Sequence, residues 1–145
     1  MDTILFITQS LSQVQLRLLA TCDGLTQEQV LWRPGPQANN IGFILWHVAR
    51  VEDTLASRAG GNQPTLWESE GFHERFGQPV DAPDPGDRPG LRALQVPALE
   101  VLTDYLDAAY RRTQELLSTL KPEGLGIVPD PSRPERTLAA SLRYQ

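Results

Sequence analysis

The chain predicts an all-α fold: a four-helix bundle of up-down-down-up topology, with a long crossover between helices two and three and a truncated fourth helix. Three observations point there. Three long stretches carry apolar residues at alternating steps of three and four, the mark of a helix packed along one seam. Pro and Gly are nearly absent from those stretches and crowd the spaces between them. The spacer between the second and third stretches is far longer than antiparallel neighbours need, but it suits parallel helices.

The first helix is expected over about Thr3 to Cys22, with Ile4, Ile7, Leu11, Val14 and Leu18 as its seam. Asp23-Gly24 ends it, because Gly24 is free to take the left-handed conformation of a helix stop. A short helix follows in "LTQEQV", where Thr26 and Gln29 form a capping box and Leu25 can staple onto Val30. "WRPGPQANN" breaks the chain, and Asn40 is a good N-cap for the second long helix, expected to run to about Arg58. Its seam reads Ile41, Ile44, Val48, Val51 and Leu55.

Residues 60–95 then connect to the third long helix. Thr65 and Glu68 resemble another capping box, so a turn or two of helix is expected at Leu66–Phe76, with loop for the rest. Such a length allows the chain to travel back along a helix of roughly 27 Å, at about 1.5 Å per residue. The third helix opens at Pro97, whose missing N–H costs nothing in a first turn. Leu99, Leu102, Leu106, Ala109, Leu116 and Leu120 line its seam, with Thr113 filling a step, and Lys121-Pro122-Glu123-Gly124 closes it. A fourth element begins near Leu138, capped by Thr137, with Leu138 and Leu142 at i, i+4. The pattern stops at Gln145 without a C-cap, and a polypeptide cut short is the expectation.

All 145 residues fit one domain, a size that buries roughly 68–70% of the unfolded surface. A formal net charge of −5 and a pI near 5.0 argue against a nucleic-acid binder, which needs a basic face. Nothing favours a membrane: no window reaches 18 apolar residues, and the N-terminus lacks the cations of a secretory signal. A lone cysteine, Cys22, excludes an internal disulfide and fits a reducing cytoplasm.

One histidine interrupts the apolar run "NNIGFILWHVARVED". His47 sits beside the seam, and on spacing alone a carbonyl-bonded or half-exposed histidine is the simpler reading than a ligand. A catalytic zinc wants three protein ligands, and neither Cys22 nor His73 has helical spacing to His47. His73 reads as a solvated loop residue and Cys22 as a small buried hydrophobe. Glu52 and Asp53 read as a solvated acidic face, with Glu52 the one able to orient a ligand from behind. Trp32, Trp46 and Trp67 are expected to pack the bundle and its long loop. A Gly-rich phosphate loop, a CxxC pair, a nucleophile elbow and an HExxH motif are all missing.

The run "LTQEQVLWRPGPQANNIGFILWHVARVEDTLASR" resembles the DinB-like superfamily of bacterial four-helix bundles, in particular members whose second helix reads Gly-Phe-x-x-Trp-His-x-Ala-x-Val-Glu-Asp. "LWESEGFHERFG" and "LQVPALEVLTDYLDAAYRRTQELL" are similar to that family's loop and third helix, so the likeness spans nearly the whole chain. The resemblance is to the small bundle and not to the polymerases that share the name. It implies the same up-down-down-up topology and a three-histidine metal site, with one ligand on helix two and a His-x-x-x-His pair on helix four. His47 matches the first. The pair would fall just beyond "TLAASLRYQ", where the sequence ends, leaving one third of the usual set; either the chain is truncated or this member has lost the site.

The resemblance therefore implies a divalent metal (Zn, Ni, Fe or Mn) in a full-length form and none bound by these 145 residues. It implies a cytoplasmic transferase or isomerase using a low-molecular-weight thiol such as bacillithiol or mycothiol, or else a hydrolase of small molecules. A metal with an open position serves both, by lowering the pKa of bound water to about 7 or by holding a thiolate. A homodimer is expected too, since the family often pairs through its helices and an incomplete bundle leaves an apolar groove. The alternative is a non-catalytic helical bundle for dimerisation or small-molecule binding.

Overall fold

The computed structural model describes residues 2–81 and 93–143. Three long helices dominate: α1 (Thr3–Cys22), α3 (Ile41–Ala59) and α6 (Leu99–Thr119). Between them lie three short helices, α2 (Gln27–Leu31), α4 (Leu66–Ser69) and α5 (Phe72–Arg75). A 3₁₀ turn (Pro122–Gly126) and α7 (Leu138–Leu142) complete the described residues, among which there is no strand.

The helix starts obey local capping chemistry. The Asn40 side chain accepts from Phe43 N at 2.7 Å, Thr26 and Gln29 make both bonds of the capping box, and Thr137 accepts from Ala140 N. Gly24 takes a φ of +73° after α1, as its position requires. The segment after Gly60 holds the expected turn or two of helix within Leu66–Phe76 but not the expected capping box. Thr65 makes no side-chain cap, and the helical segment splits into two single turns at Gly71, whose φ of +67° interrupts the helical run. The loop expected over residues 82–92 lies outside the described residues.

α3 and α6 run parallel and share the most extensive helix–helix packing. Gly42 at the start of α3 lies against Val96 just before α6. Asp53, past the middle of α3, meets Tyr105 and Arg112, and Arg58 at its end pairs with Asp130 beyond α6. α1 lies antiparallel on α6: the Ser12 and Tyr110 hydroxyls are 2.7 Å apart, Leu18 packs with the cluster that contains Leu102 and Leu106, and Ile4 and Ile7 pack with Leu117. The chain thus goes up, down and down, and α7 begins at the end from which α1 starts, with Leu138 and Leu142 buried among Ile4, Ile7, Leu11 and Leu55.

α6 buries Leu102, Leu106, Ala109 and Thr113 of its expected seam and α1 packs Ile4, Ile7, Leu11 and Leu18, but the seam of α3 is rotated from the one that spacing suggested. On α3 the buried residues are Gly42, Leu45, Trp46, Ala49, Glu52, Asp53, Ala56 and Ser57, whereas Ile44 and Val51 are 46% and 43% exposed. On α1 only Gln15 and Cys22 are buried, and Val14 stands out in solvent. On α6 Leu117 and Tyr105 are buried, while Leu116 and Leu120 are half-buried. Trp46 and Trp67 are buried as expected, but Trp32 is 65% exposed.

Candidate functional site

α3 carries the chemistry, and it presents different groups on different flanks. His47 projects from the flank turned away from α6 and is exposed between Ile44 and Val51. Its ring lies nearly parallel to that of Phe43 one turn earlier, at 5.8 Å between centroids and 9° between planes. Ile44, His47 and Val51 follow at i, i+3 and i+7, so the imidazole sits within an apolar stripe that nothing among the described residues covers.

The opposite flank holds the feature that sequence reasoning missed. Asp53 is fully buried, not on a solvated face, and it gathers four donors. Its carboxylate accepts from Leu66 N at 2.9 Å, Trp67 N at 3.0 Å, the Tyr105 hydroxyl at 2.8 Å and the Arg112 guanidinium at 3.2 Å. Asp53 therefore supplies the N-terminal cap of α4 that Thr65 does not, and ties the crossover to α3 and α6 at once. Arg112 also donates to Pro64 O at 2.8 Å, and Tyr105 stacks on Phe72 at 4.6 Å. The buried carboxylate holds the Tyr105 phenol far above its usual range, with burial as the larger cause, so this tyrosine is a fixed donor.

Glu52 is likewise buried, 6% exposed, which corrects the expectation of an acidic surface. Burial first, then the neighbouring Asp53 charge, push its carboxyl up to about 7 against an opposing hydrogen bond from Thr113. The signal for this burial was in the sequence: Glu52 follows Val48 by four and Ala49 by three, hence lies on the packed flank.

The remaining candidates do not converge on His47. His73 lies in α5, half-buried, not in a solvated loop, with its Nδ1 3.1 Å from Gln78 O and its ring tilted against Trp67. Cys22 is buried at the end of α1, where burial raises its thiol and keeps it protonated. It lies in an open cleft between α1 and α6 whose acidic rim includes Asp104 and Asp107, paired respectively with Arg75 and Arg111. Among the described residues no three His, Cys, Asp or Glu side chains come together in a way that could hold a metal ion. A three-ligand metal site therefore does not fit the described residues alone.

The pattern of the DinB superfamily matches residues 10–144. The chain belongs to the DinB superfamily. A crystal structure of the conserved protein of a locus from Enterococcus faecalis superposes on this DinB chain with a TM-score of 0.82 at 26% identity, over 99% of this chain and 86% of that one. No curated protein matches it. No helix among the described residues is long and apolar enough to cross a membrane.

Proposed function

We propose that this DinB protein is a divalent-metal-dependent enzyme of the cytoplasm, a thiol-dependent transferase or a hydrolase of small molecules, with His47 as one of its metal ligands. The observation that carries this reading is the placement of His47: an exposed imidazole on the uncovered flank of α3, within a stretch that matches the family. One imidazole does not hold an ion at micromolar concentration, so the other ligands have to come from outside the described residues. A further helix bearing His-x-x-x-His would supply two on one side, because i and i+4 share a face.

Elemental analysis tests this. The 145-residue chain is expected to carry no stoichiometric Zn, Ni, Fe or Mn. A form extended by the coding sequence beyond Gln145, if that sequence encodes the histidine pair, is expected to carry about one per subunit. In the extended form His47→Ala loses the metal and keeps its helical circular dichroism, because the exposed side chain contributes little to packing. Full occupancy in that variant, or tight binding by the short chain, refutes the assignment.

The lack of a converging ligand set among the described residues favours a second reading, a non-catalytic bundle serving dimerisation or small-molecule binding. Both readings include a homodimer. Leu5, Phe6, Val14 and Leu16 on α1, with Ile44 and Val51 on α3, leave apolar surface open, and such surface seeks a partner. A monomer by light scattering that binds no hydrophobic dye would count against pairing.

A further inference from the structure

Two neighbours of His47 on α3 hold donors that no described residue meets. Trp46 is 3% exposed, yet its indole N–H has no acceptor among the described residues. One turn on, Arg50 is half-buried, with its Nη1 enclosed and likewise unmet. Gln15 and Gln114 also leave a buried Nε2 without a partner, but an amide can turn its oxygen into that place. An indole N–H and a guanidinium can only donate, so an acceptor has to be brought to them.

The two donors stand on common ground. Trp46 packs edge-on against Trp67 at 6.3 Å between centroids, and the Arg50 guanidinium lies 4.9 Å over the Trp67 ring. At about 100° per residue, Arg50 lies about 40° from Trp46 and about 60° from His47 around the axis. Within about one turn the side chains therefore pass from buried Trp46 through half-buried Arg50 to exposed His47. Phe43, stacked on His47 and tilted against Trp46, walls the same patch one turn earlier.

The charge at this border is unbalanced. Asp53, three residues past Arg50, already has four donors and pairs with Arg112. Glu52 projects about 160° away from Arg50 round the helix. Among the described residues no carboxylate lies within ion-pair distance of Arg50. A partly desolvated guanidinium calls for an anion, and one with two coplanar oxygens can accept from Nη1 on one and from the indole N–H on the other.

We propose that Trp46 and Arg50 form a carboxylate seat beside His47, and that the small molecule this protein acts on carries a carboxylate. The second part rests on the reading of His47 as a metal ligand; the seat itself needs no metal. A carboxylate suits it better than a phosphate, because one guanidinium supplies one positive charge and nearby Asp53 repels any second negative one.

Nitrogen–proton NMR spectra of the intact chain, titrated with sodium acetate against sodium chloride at equal ionic strength, test the seat. The Trp67 indole donates to Val80 O at 3.0 Å and so marks a hydrogen-bonded N–H, while exposed Trp32 marks solvent contact. The Trp46 indole signal, assigned by its loss in Trp46→Phe, is expected to move downfield and to saturate with acetate. Arg50→Met, which keeps the stem and removes the charge, is expected to weaken acetate by at least about tenfold, the worth of one charge-assisted hydrogen bond. Inorganic phosphate is expected to bind more weakly than acetate. No saturable movement of Trp46, an equal response in Arg50→Met, or tighter binding of phosphate overturns the seat. Should Arg50→Met fail to fold, Arg50→Lys keeps the charge and loses the fork, and an unchanged response there overturns the seat as well. Metal content of the extended form is read separately, so a chain that takes acetate but no metal upholds the seat and removes only the role given to His47.

Discussion

Replacing Asp53 by Asn changes one atom in the most connected side chain of the fold, so its cost measures how much the crossover depends on one carboxylate. The amide keeps the shape but has one acceptor oxygen where the carboxylate has two, and it turns an N–H₂ toward donors. Of the four bonds, those on one oxygen (Leu66 N and Arg112) or those on the other (Trp67 N and the Tyr105 hydroxyl) have to break. Breaking a buried ion pair costs about 3–5 kcal/mol. Arg112 retains Pro64 O and some solvent contact, which favours the lower end, and one buried donor left unmet adds about 1–3 kcal/mol. The expected loss is about 4 kcal/mol, within the 5–15 kcal/mol that holds a typical domain together, so the variant still folds but weakly. At about 2–4 °C per kcal/mol for a chain of this size, Tm is expected to fall by roughly 8–16 °C. Urea melts followed by Trp fluorescence and by circular dichroism are the assay. In either orientation one of the two backbone bonds that cap α4 beside Trp67 is lost, so the fluorescence transition should move at least as far as the helical one. Adding Arg112→Met removes the orphaned cation and should recover part of the loss. A cost under 1 kcal/mol for Asp53→Asn alone would refute the view that this carboxylate fastens the crossover.

Gly42→Ala places a Cβ onto Val96 and close to Val30, and overpacking there is expected to cost about 1–3 kcal/mol in a thermal melt. Tyr105→Phe removes a single donor from Asp53 and leaves the stacked ring in place, so about 1–2 kcal/mol is expected by urea denaturation. Trp32→Ser, at a side chain 65% exposed, is expected to change stability by no more than about 0.5 kcal/mol in the same assay.

Element positions were legible because they rest on local rules. Asn40, Thr26 and Thr137 cap from within their own turns, Gly24 stops α1, and the residues bracketed as helices match Thr3–Cys22, Ile41–Ala59 and Leu99–Thr119 to within two residues at each end. The parallel course of α3 and α6 was legible from the length of the connection alone. The facing of α3 was not. α3 is apolar over more than one flank, with Leu45, Ala49 and Ala56 on one stripe and Ile44, Val48 and Val51 on another. Steps of three and four fit both stripes, and only the partner across the interface selects between them.

The same ambiguity explains the misreading of the acids. A carboxylate next to another on a helix suggests solvent, since burying a charge without partners costs far more than leaving it wet. Asp53 escapes that cost through donors 13, 14, 52 and 59 residues away, and no window of sequence displays them. Glu52 bears that cost instead in its acidity: burial and the neighbouring Asp53 charge push its carboxyl up to about 7, against the hydrogen bond from Thr113. His47 is the converse case. Its apolar neighbours at i−3 and i+4 suggested the edge of an interior, yet Ile44 and Val51 are themselves open to solvent. An imidazole on such a stripe stays within reach of a ligand or a further helix, and the burial that disables Cys22 does not touch it.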